Sequence, residues 1–289
     1  MIIVITGPTC LGKSETAVYL AKKMNAEIIN GDAFQCYKQL NIGVAKPSDE
    51  LLKEVNHHLY SFVDINHNYS IAEYQINLRA KINELLAKNK NIIIVGGSGL
   101  YIKSALYDYE FKENKTVDMT KYEKMDNRTL YDALKLIDPS EAEKIHFNNR
   151  KRLLRAIEIY LSEGKTKSTL IEEQKHKLIY DVKFFVKNLN REVLYENINK
   201  RVDVMMKNGL FEEVKYLYSQ YNHNLNALQA IGYKELIDVI ENKDTLEHAI
   251  EMIKQHTRNY AKRQMTYIRH QFPVNFYENN EDLWRILNE

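Results

Sequence analysis

The chain has 289 residues, 44% hydrophobic content and a net charge of +2, enough to bury a full core in one large domain plus an insertion. So small a net charge excludes a uniformly basic nucleic-acid coat, and any anion-binding surface must be local. Two cysteines, Cys10 and Cys36, exclude a disulfide framework and suit a reduced cytoplasmic protein, and no apolar run reaches the ~20 residues of a membrane span.

Ile2 to Ile5 is a short apolar, β-branched run that predicts a buried strand. Thr6 to Ser14 follows as T-G-P-T-C-L-G-K-S, and the frame G-x-x-x-x-G-K-[ST] fits at Gly7, Gly12, Lys13 and Ser14. Ser14 to Met24 then places Ala17, Val18, Leu20, Ala21 and Met24 at helical spacing. Strand, glycine-rich loop and helix together are the context that this frame requires. Gly7, Pro8, Thr9, Cys10, Leu11, Gly12, Lys13 and Ser14 are therefore the candidate polyphosphate cradle. Backbone N–H groups turn toward the anion, the helix start adds partial positive charge, and Lys13 adds a full one. Ser14 offers a hydroxyl to a phosphate-bound Mg²⁺. The opening strand does not read as a signal peptide, since a basic n-region and a small-residue cleavage site are missing.

Glu27 to Asn30 predicts a second strand running into Gly31-Asp32. Strand, helix and strand in so short a span indicate a βαβ unit in a parallel sheet, whose ligands bind beyond the carboxyl ends of the strands. Asp32 falls there and is a candidate site residue, with a helix-cap or turn aspartate as the alternative. Leu59 to Ile65 predicts a weak strand, preceded by His57-His58, whose expected role is structural or hydrogen-bonding rather than metal binding. Ser70 to Lys88 has an amphipathic helical pattern, with a capping-box frame at Ser70 and Glu73. Asn91 to Val95 predicts a strand ending in Gly96-Gly97-Ser98-Gly99 before a helix over Leu100 to Leu106. Such a turn faces the same crevice as the first loop, which makes Ser98 a candidate, although a plain tight turn explains the glycines equally well.

From about Tyr109 the composition shifts to Lys, Glu and Asn, and short helical patterns follow. Residues 109–180 are the candidate inserted helical lobe, with 1–108 and 181–289 forming the core. Leu153, Ala156, Ile157 and Tyr160 make an apolar stripe, and Arg150, Lys151, Arg152 and Arg155 crowd the start of the same helix. Cations are disfavoured at a helix N-terminus, so they suggest an anionic partner such as a phosphodiester backbone. Val182 to Val186 predicts a strand, and a helix after Arg191 carries Leu194, Ile198, Val202, Met205 and Met206. The last long helix, Leu246 to Phe272, turns Ile250, Ile253, Thr257, Ala261, Ile268 and Phe272 to the core and ends at Pro273. Its other face carries Lys254, Arg258, Lys262, Arg263 and Arg269 with Tyr260 and Tyr267 interleaved, a mixture that suits RNA. A solvated charged face is the plainer alternative for both basic helices.

Several stretches beyond the phosphate loop resemble the tRNA dimethylallyltransferases. They are D-A-F-Q at 32–35, I-G-V-A-K-P at 42–47, H-H-L at 57–59, Y-S-I-A-E-Y at 69–74 and V-G-G-S-G-L-Y at 95–101. K-R-L-L-R-A at 151–156, A-I-G-Y-K-E at 230–235 and T-R-N-Y-A-K-R-Q-M-T-Y-I-R at 257–269 complete the set, in order along nearly the whole chain. Ser98 and Val44 stand where the family has threonines, and Leu11 stands where a small residue is common. The resemblance implies an α/β fold, a P-loop NTPase-like parallel sheet core with an inserted, mostly helical lobe. It implies that the loop holds dimethylallyl diphosphate with Mg²⁺, and that Asp32 takes the proton from the exocyclic amine of a tRNA anticodon-loop adenosine. Ser98 is expected at that adenosine or its neighbouring phosphate and Gln35 at the adenine edge, within an RNA-contacting stretch of Asp32, Ala33, Phe34 and Gln35. Lys151, Arg152, Leu153, Leu154 and Arg155, with Arg258, Lys262 and Arg263, are expected to hold the anticodon arm. Arg191 and Arg201 are candidate diphosphate clamps. A cytoplasmic monomer is expected. An adenylate isopentenyltransferase acting on free nucleotide and a P-loop small-molecule kinase are the alternatives. The first needs no basic RNA surface, and the second expects an aspartate at the strand end before Gly96.

Overall fold

A computed structural model of the chain describes residues 1–111 and 117–289. Six strands form one sheet: β1 (Ile2–Thr6), β2 (Ala26–Asn30), β3 (His57–His58), β4 (Asn91–Gly96), β5 (Val182–Lys187) and β6 (Val274–Tyr277). Their order across the sheet is β3-β2-β4-β1-β5-β6, and every pairing is parallel. The near-continuous apolar runs of the central strands follow from this, because a parallel sheet with helices on both faces is buried on both. Alternation sorts them. Val4, Ile92, Ile94 and Phe184 face one cluster, and Ile3, Ile5, Ile93 and Phe185 the other. Helices Ile71–Ala87 and Gly99–Leu106 supply Leu78, Ile82, Ile102 and Leu106 to the first, and Lys13–Met24 and Asn280–Asn288 supply Val18, Leu20, Leu283 and Leu287 to the second.

Register sets the site. Ile5 lies beside Val95 and Thr6 beside Gly96, while Asn30 lies on the other side of Val95. The loops leaving β1, β2 and β4 therefore emerge together at one edge. Gly31 donates its N–H to the Val95 carbonyl at 2.7 Å, and a Cβ on Gly96 would lie 2.1 Å from the Gly31 carbonyl. Only glycine allows β2 and β4 to converge so tightly just before Asp32 and Ser98.

One expectation is corrected and one region is new. The edge strand is His57–His58 itself rather than 59–65, because Leu59 and Ser61 take positive φ values and turn the chain away. His58 Nε2 lies 2.7 Å from Glu27 Oε2, and His57 Nδ1 lies 2.8 Å from the Val55 carbonyl, so both rings serve hydrogen bonds. After Pro273 the chain returns as β6 and a terminal helix, neither visible in the short, mixed sequence there. The predicted capping box at Ser70 and Glu73 is present in both directions.

The contacts divide the chain into one unit of Met1–Tyr107 with Leu178–Glu289 and another of Asp108–Lys177. The second is helical among its described residues, with Leu130, Leu134, Ala142, Ile145, Leu153, Ala156 and Ile157 as its core. Tyr160, expected on the same stripe, is 37% exposed. No helix of the described residues is long and apolar enough to cross a membrane.

Candidate active site at the strand ends

The loop between β1 and the Lys13–Met24 helix closes on Gly12, whose φ of 71° places it in the left-handed region as the N-cap. The Lys13 ammonium donates to the Pro8 carbonyl at 2.6 Å, which folds its side chain back over the loop. Burial, reinforced by the Arg201 guanidinium, lowers the Lys13 pKa to about 8. Both effects disfavour the charged lysine, and an anion in the loop would reverse them. Arg201 Nη1 lies 3.8 Å from Cys10 Sγ. Two cations thus flank a loop whose helix start is itself positive.

Asp32 faces the same space. Its Oδ1 accepts the Phe34 N–H at 2.9 Å, and its own N–H donates to Asn30 Oδ1 at 2.9 Å, so the carboxylate is fixed by a short turn. Burial raises its pKa, while the Phe34 N–H and the charges of Lys13 and Arg201 work the other way. Such a carboxylate is basic for its type and stays close to two cations.

A cavity of about 680 Å³ joins these groups. Thr9 to Ser14, Asp32, Phe34, Gln35, Arg201 and Arg263 line it, with an apolar wall that includes Ile198, Val202, Met205, Leu210 and Ile253. Ser14 lines it beside Glu15. No cluster of three or more His, Cys, Asp or Glu side chains suited to a metal occurs among the described residues. A Mg²⁺ here would therefore take phosphate oxygens and water as most of its ligands, with the Ser14 hydroxyl as a protein ligand, which is the usual preference of that ion.

Other expected residues are placed differently. Ser98 is 9% exposed and is not part of the cavity wall; its Oγ accepts the Ala33 N–H at 3.0 Å. It braces the Asp32 turn through the Ala33 backbone. The Gln35 side-chain N–H group donates to the Val44 and Ala45 carbonyls at 3.1 and 3.0 Å, which leaves its oxygen as the remaining acceptor. Arg191 is exposed, donates to the Tyr195 hydroxyl at 3.2 Å and stacks on that ring, away from the cavity wall, so of the two clamp candidates only Arg201 is at the site.

The basic helices separate in the same way. Arg150 donates to the Met125 and Glu123 carbonyls at 2.7 and 2.5 Å, which is internal bracing of the lobe. Leu153 is fully buried in the lobe core and has no surface to offer an RNA, and Leu154 packs partly against the same core. Lys151, Arg152 and Arg155 are exposed, with Arg155 paired to Glu158 at 2.8 Å. On the Leu246–Gln271 helix, Lys254 is spent on Asp203 and Glu251 at 2.9 and 3.0 Å, and Arg258 donates to Asn199 at 2.6 Å. Lys262 is exposed, and Arg263 reaches the cavity over the Tyr260 ring.

Several site residues were given no role from the sequence, Glu213 because it lies in none of the motifs and Lys46 and Gln264 although they lie within two of them. Glu213 accepts the Ile42 and Gly43 N–H groups at 3.0 and 3.3 Å and the Tyr233 hydroxyl at 2.6 Å, which pins the cavity wall at 43–46. Lys46 donates to the Tyr37 carbonyl at 2.5 Å, and burial lowers its pKa to about 8. Gln264 lines the cavity from the last long helix. Its signal was its spacing, between Ala261 and Ile268 on the buried face.

Comparison with known proteins gives a consistent picture. A family model described as IPP transferase matches residues 35–271. A tRNA dimethylallyltransferase of Anoxybacillus flavithermus is 44% identical over 283 residues, covering 97% of this chain and 91% of that protein. The enzyme of the same name from Bacillus subtilis is 42% identical, covering 96% and 90%. A crystal structure of a tRNA isopentenylpyrophosphate transferase from Staphylococcus epidermidis superposes with a TM-score of 0.74 at 36% identity, covering 99% of this chain and 97% of that one. A eukaryotic dimethylallyltransferase described as acting on tRNA superposes at 0.83 and 29% identity, covering 99% and 77%.

Proposed function

The chain belongs to the IPP transferase family, and from that premise we propose that it transfers a dimethylallyl group from dimethylallyl diphosphate to the exocyclic amine of a tRNA anticodon-loop adenosine, next to the 3′ end of the anticodon. The observation that carries the proposal is the half-buried Asp32 carboxylate facing the same cavity as Lys13, Arg201 and the phosphate loop. An exocyclic adenine amine is a weak nucleophile, because its lone pair is conjugated with the ring. It needs a base as it attacks, and the allylic C–O bond needs help as it breaks.

The residues divide that work. The N–C bond forms at the allylic carbon, the C–O bond breaks, and its electron pair leaves on diphosphate. Asp32 takes the amine proton at a carboxylate oxygen, and its raised pKa makes it a better acceptor than an ordinary carboxylate. Lys13, Arg201 and the loop N–H groups meet the charge that collects on the departing diphosphate. Bound Mg²⁺ would add Lewis-acid neutralisation there, with Ser14 the residue that would hold it. The apolar wall excludes water from the allylic carbon, and the adenine must leave its stack to reach Asp32. Arg263, Lys262, Arg152 and Lys151 are the cations available to the RNA backbone.

Radiolabelled dimethylallyl diphosphate with Mg²⁺ and either unmodified tRNA or AMP tests the reading. Label is expected in tRNA. Label only in AMP would make this a free-nucleotide enzyme, and hydrolysis of ATP with no prenyl transfer would leave the phosphate loop correct and the reaction wrong.

A further inference from the structure

The side chain of Gln264 is 6% exposed, on the inward face of the Leu246–Gln271 helix. Its Nε2 donates to the Gly97 carbonyl at 2.9 Å, and its Oε1 accepts the Thr9 N–H at 3.3 Å. One amide therefore joins the phosphate loop after β1 to the glycine turn after β4. The fit is close: a Cβ on Gly97 would lie 2.2 Å from Gln264 Nε2 and 3.2 Å from the Gly7 carbonyl. Any larger residue at 97 must displace the glutamine or the loop itself.

The same stretch of helix also reaches the Asp32 turn. The Tyr260 phenol, four residues earlier, interacts with the side chains of Ser98 and Gln264. Ser98 in turn accepts the N–H of Ala33, the residue after Asp32. Polar contacts thus run from Thr9 through Gln264 to Gly97, and from Tyr260 through Ser98 to the Asp32 turn. The loop that would hold the leaving group and the turn that would hold the base are referenced to one helix. A buried side-chain amide holds its geometry when donor and acceptor are both satisfied, as here.

We propose that Gln264 is a positioning residue that sets the separation between the phosphate loop and Asp32, and with it the line from attacking amine to leaving diphosphate. The inference rests on the prenyl-transfer reading above. Gln264 engages neither substrate in this account. It uses the Thr9 N–H and the Gly97 carbonyl, so the remaining loop N–H groups keep their own aim at phosphate. Displacement in a two-reactant site is costly, since ~1 Å of misplacement loses on the order of 10²-fold in rate.

Two variants attack the bridge from opposite ends. Gln264→Met keeps the volume and removes both hydrogen bonds. Gly97→Ala keeps the glutamine and pushes it off the turn. Both are compared with wild type by steady-state transfer to tRNA, by binding of inorganic diphosphate and of tRNA, and by the fraction of active sites in a single-turnover burst. The expected result is a kcat per active site lower by ~10²-fold in both variants, with donor KM, diphosphate affinity and tRNA affinity little changed. Unchanged kcat per active site in both would overturn the proposal. So would a loss explained wholly by weaker diphosphate binding, or by fewer folded active sites. Wild-type protein that transfers no label would instead overturn the functional reading, a result distinct from equal turnover in all three proteins.

Discussion

The strand-end site and the inserted lobe both carry clustered cations, and the two clusters behave in opposite ways. At the strand ends Lys13 is half-buried, and Arg201 lines the cavity beside the Cys10 thiol. Their charges are partly withdrawn from water beside the loop, a cost that an arriving anion offsets. In the Asp108–Lys177 unit, Arg150 braces backbone carbonyls, Arg155 pairs with Glu158, and Lys151 and Arg152 extend into solvent. Charge density along the sequence is similar in kind, but only the first cluster is electrostatically loaded. The difference teaches that burial, not the number of basic residues, marks where chemistry is poised.

The sharpest break of that contrast is the loss of the base. Asp32→Ala is expected to lower kcat by ~10²–10⁴-fold, while binding of tRNA and diphosphate persists. Single-turnover transfer together with both binding constants checks this, and near-normal turnover would remove Asp32 from the role. Next in size is the paired comparison of Arg201→Ala with Arg191→Ala. The first is expected to lose ~10²–10³-fold in transfer, in line with removal of one donor to a developing oxyanion. The second should be close to wild type, because Arg191 packs on Tyr195 away from the cavity. Equal losses in both would mean that diphosphate reaches beyond the wall described above.

A pH profile sharpens the same point. Asp32 must be ionised to act, and burial raises its pKa, so kcat/KM should rise with pH through a limb above the ordinary carboxylate range. Lys13 must be charged to attract the donor, and its pKa near 8 gives a falling limb through that value, by roughly tenfold per pH unit beyond it. Stability has the opposite sign. Between about 8 and the ordinary 10.5 the unfolded lysine holds a proton that the folded one has released, so Lys13 makes folding more favourable as pH rises through that window. Activity that falls while the unfolding midpoint does not would separate titration from denaturation. A falling limb that tracks the unfolding midpoint would assign the loss to unfolding.

The sequence made these positions legible to unequal degrees, for physical reasons. The phosphate loop, Asp32 and the Gly96–Gly99 turn were readable because a parallel sheet fixes where strand ends lead, and apolar runs fix where strands end. Asp32 was a candidate by its position, and the resemblance gave it its role. Arg191 and Arg201 could not be told apart, since both lie on the Arg191–Lys207 helix and only tertiary packing decides which of them meets the cavity. Ser98 was readable as a polar residue at the right turn, but its partner, the Ala33 N–H, is a backbone group that no side-chain pattern reports. Glu213 and Gln264 act through backbone atoms remote in sequence, so they look like ordinary helix residues until the chain is folded. Leu153 shows the reverse error. It shares a motif with Arg152, and neighbours on a helix point to different faces, so one is core and the other surface.

A similar divergence between two arginines of the same helix gives the smallest and most discriminating test. Arg152 is exposed on the lobe helix, whereas Arg150, two positions earlier, donates to the Glu123 and Met125 carbonyls. If Arg152 neutralises one tRNA phosphate, Arg152→Ala should weaken binding and reduce the slope of log K against log salt by about 1. The thermal midpoint should hardly move, since an exposed side chain away from the core contributes little to folding. Arg150→Ala should do the converse. It removes the donor of two carbonyls, one exposed and one part-buried, so it lowers the stability of the lobe by about 0.5–1.5 kcal/mol and leaves the salt slope of the folded protein near its original value. Fluorescence-monitored unfolding and binding titrations at several salt concentrations on the same two proteins measure both quantities. A salt slope that drops for Arg150→Ala and not for Arg152→Ala would show that the bracing arginine is the one that turns to the RNA, and that the lobe rearranges when RNA binds.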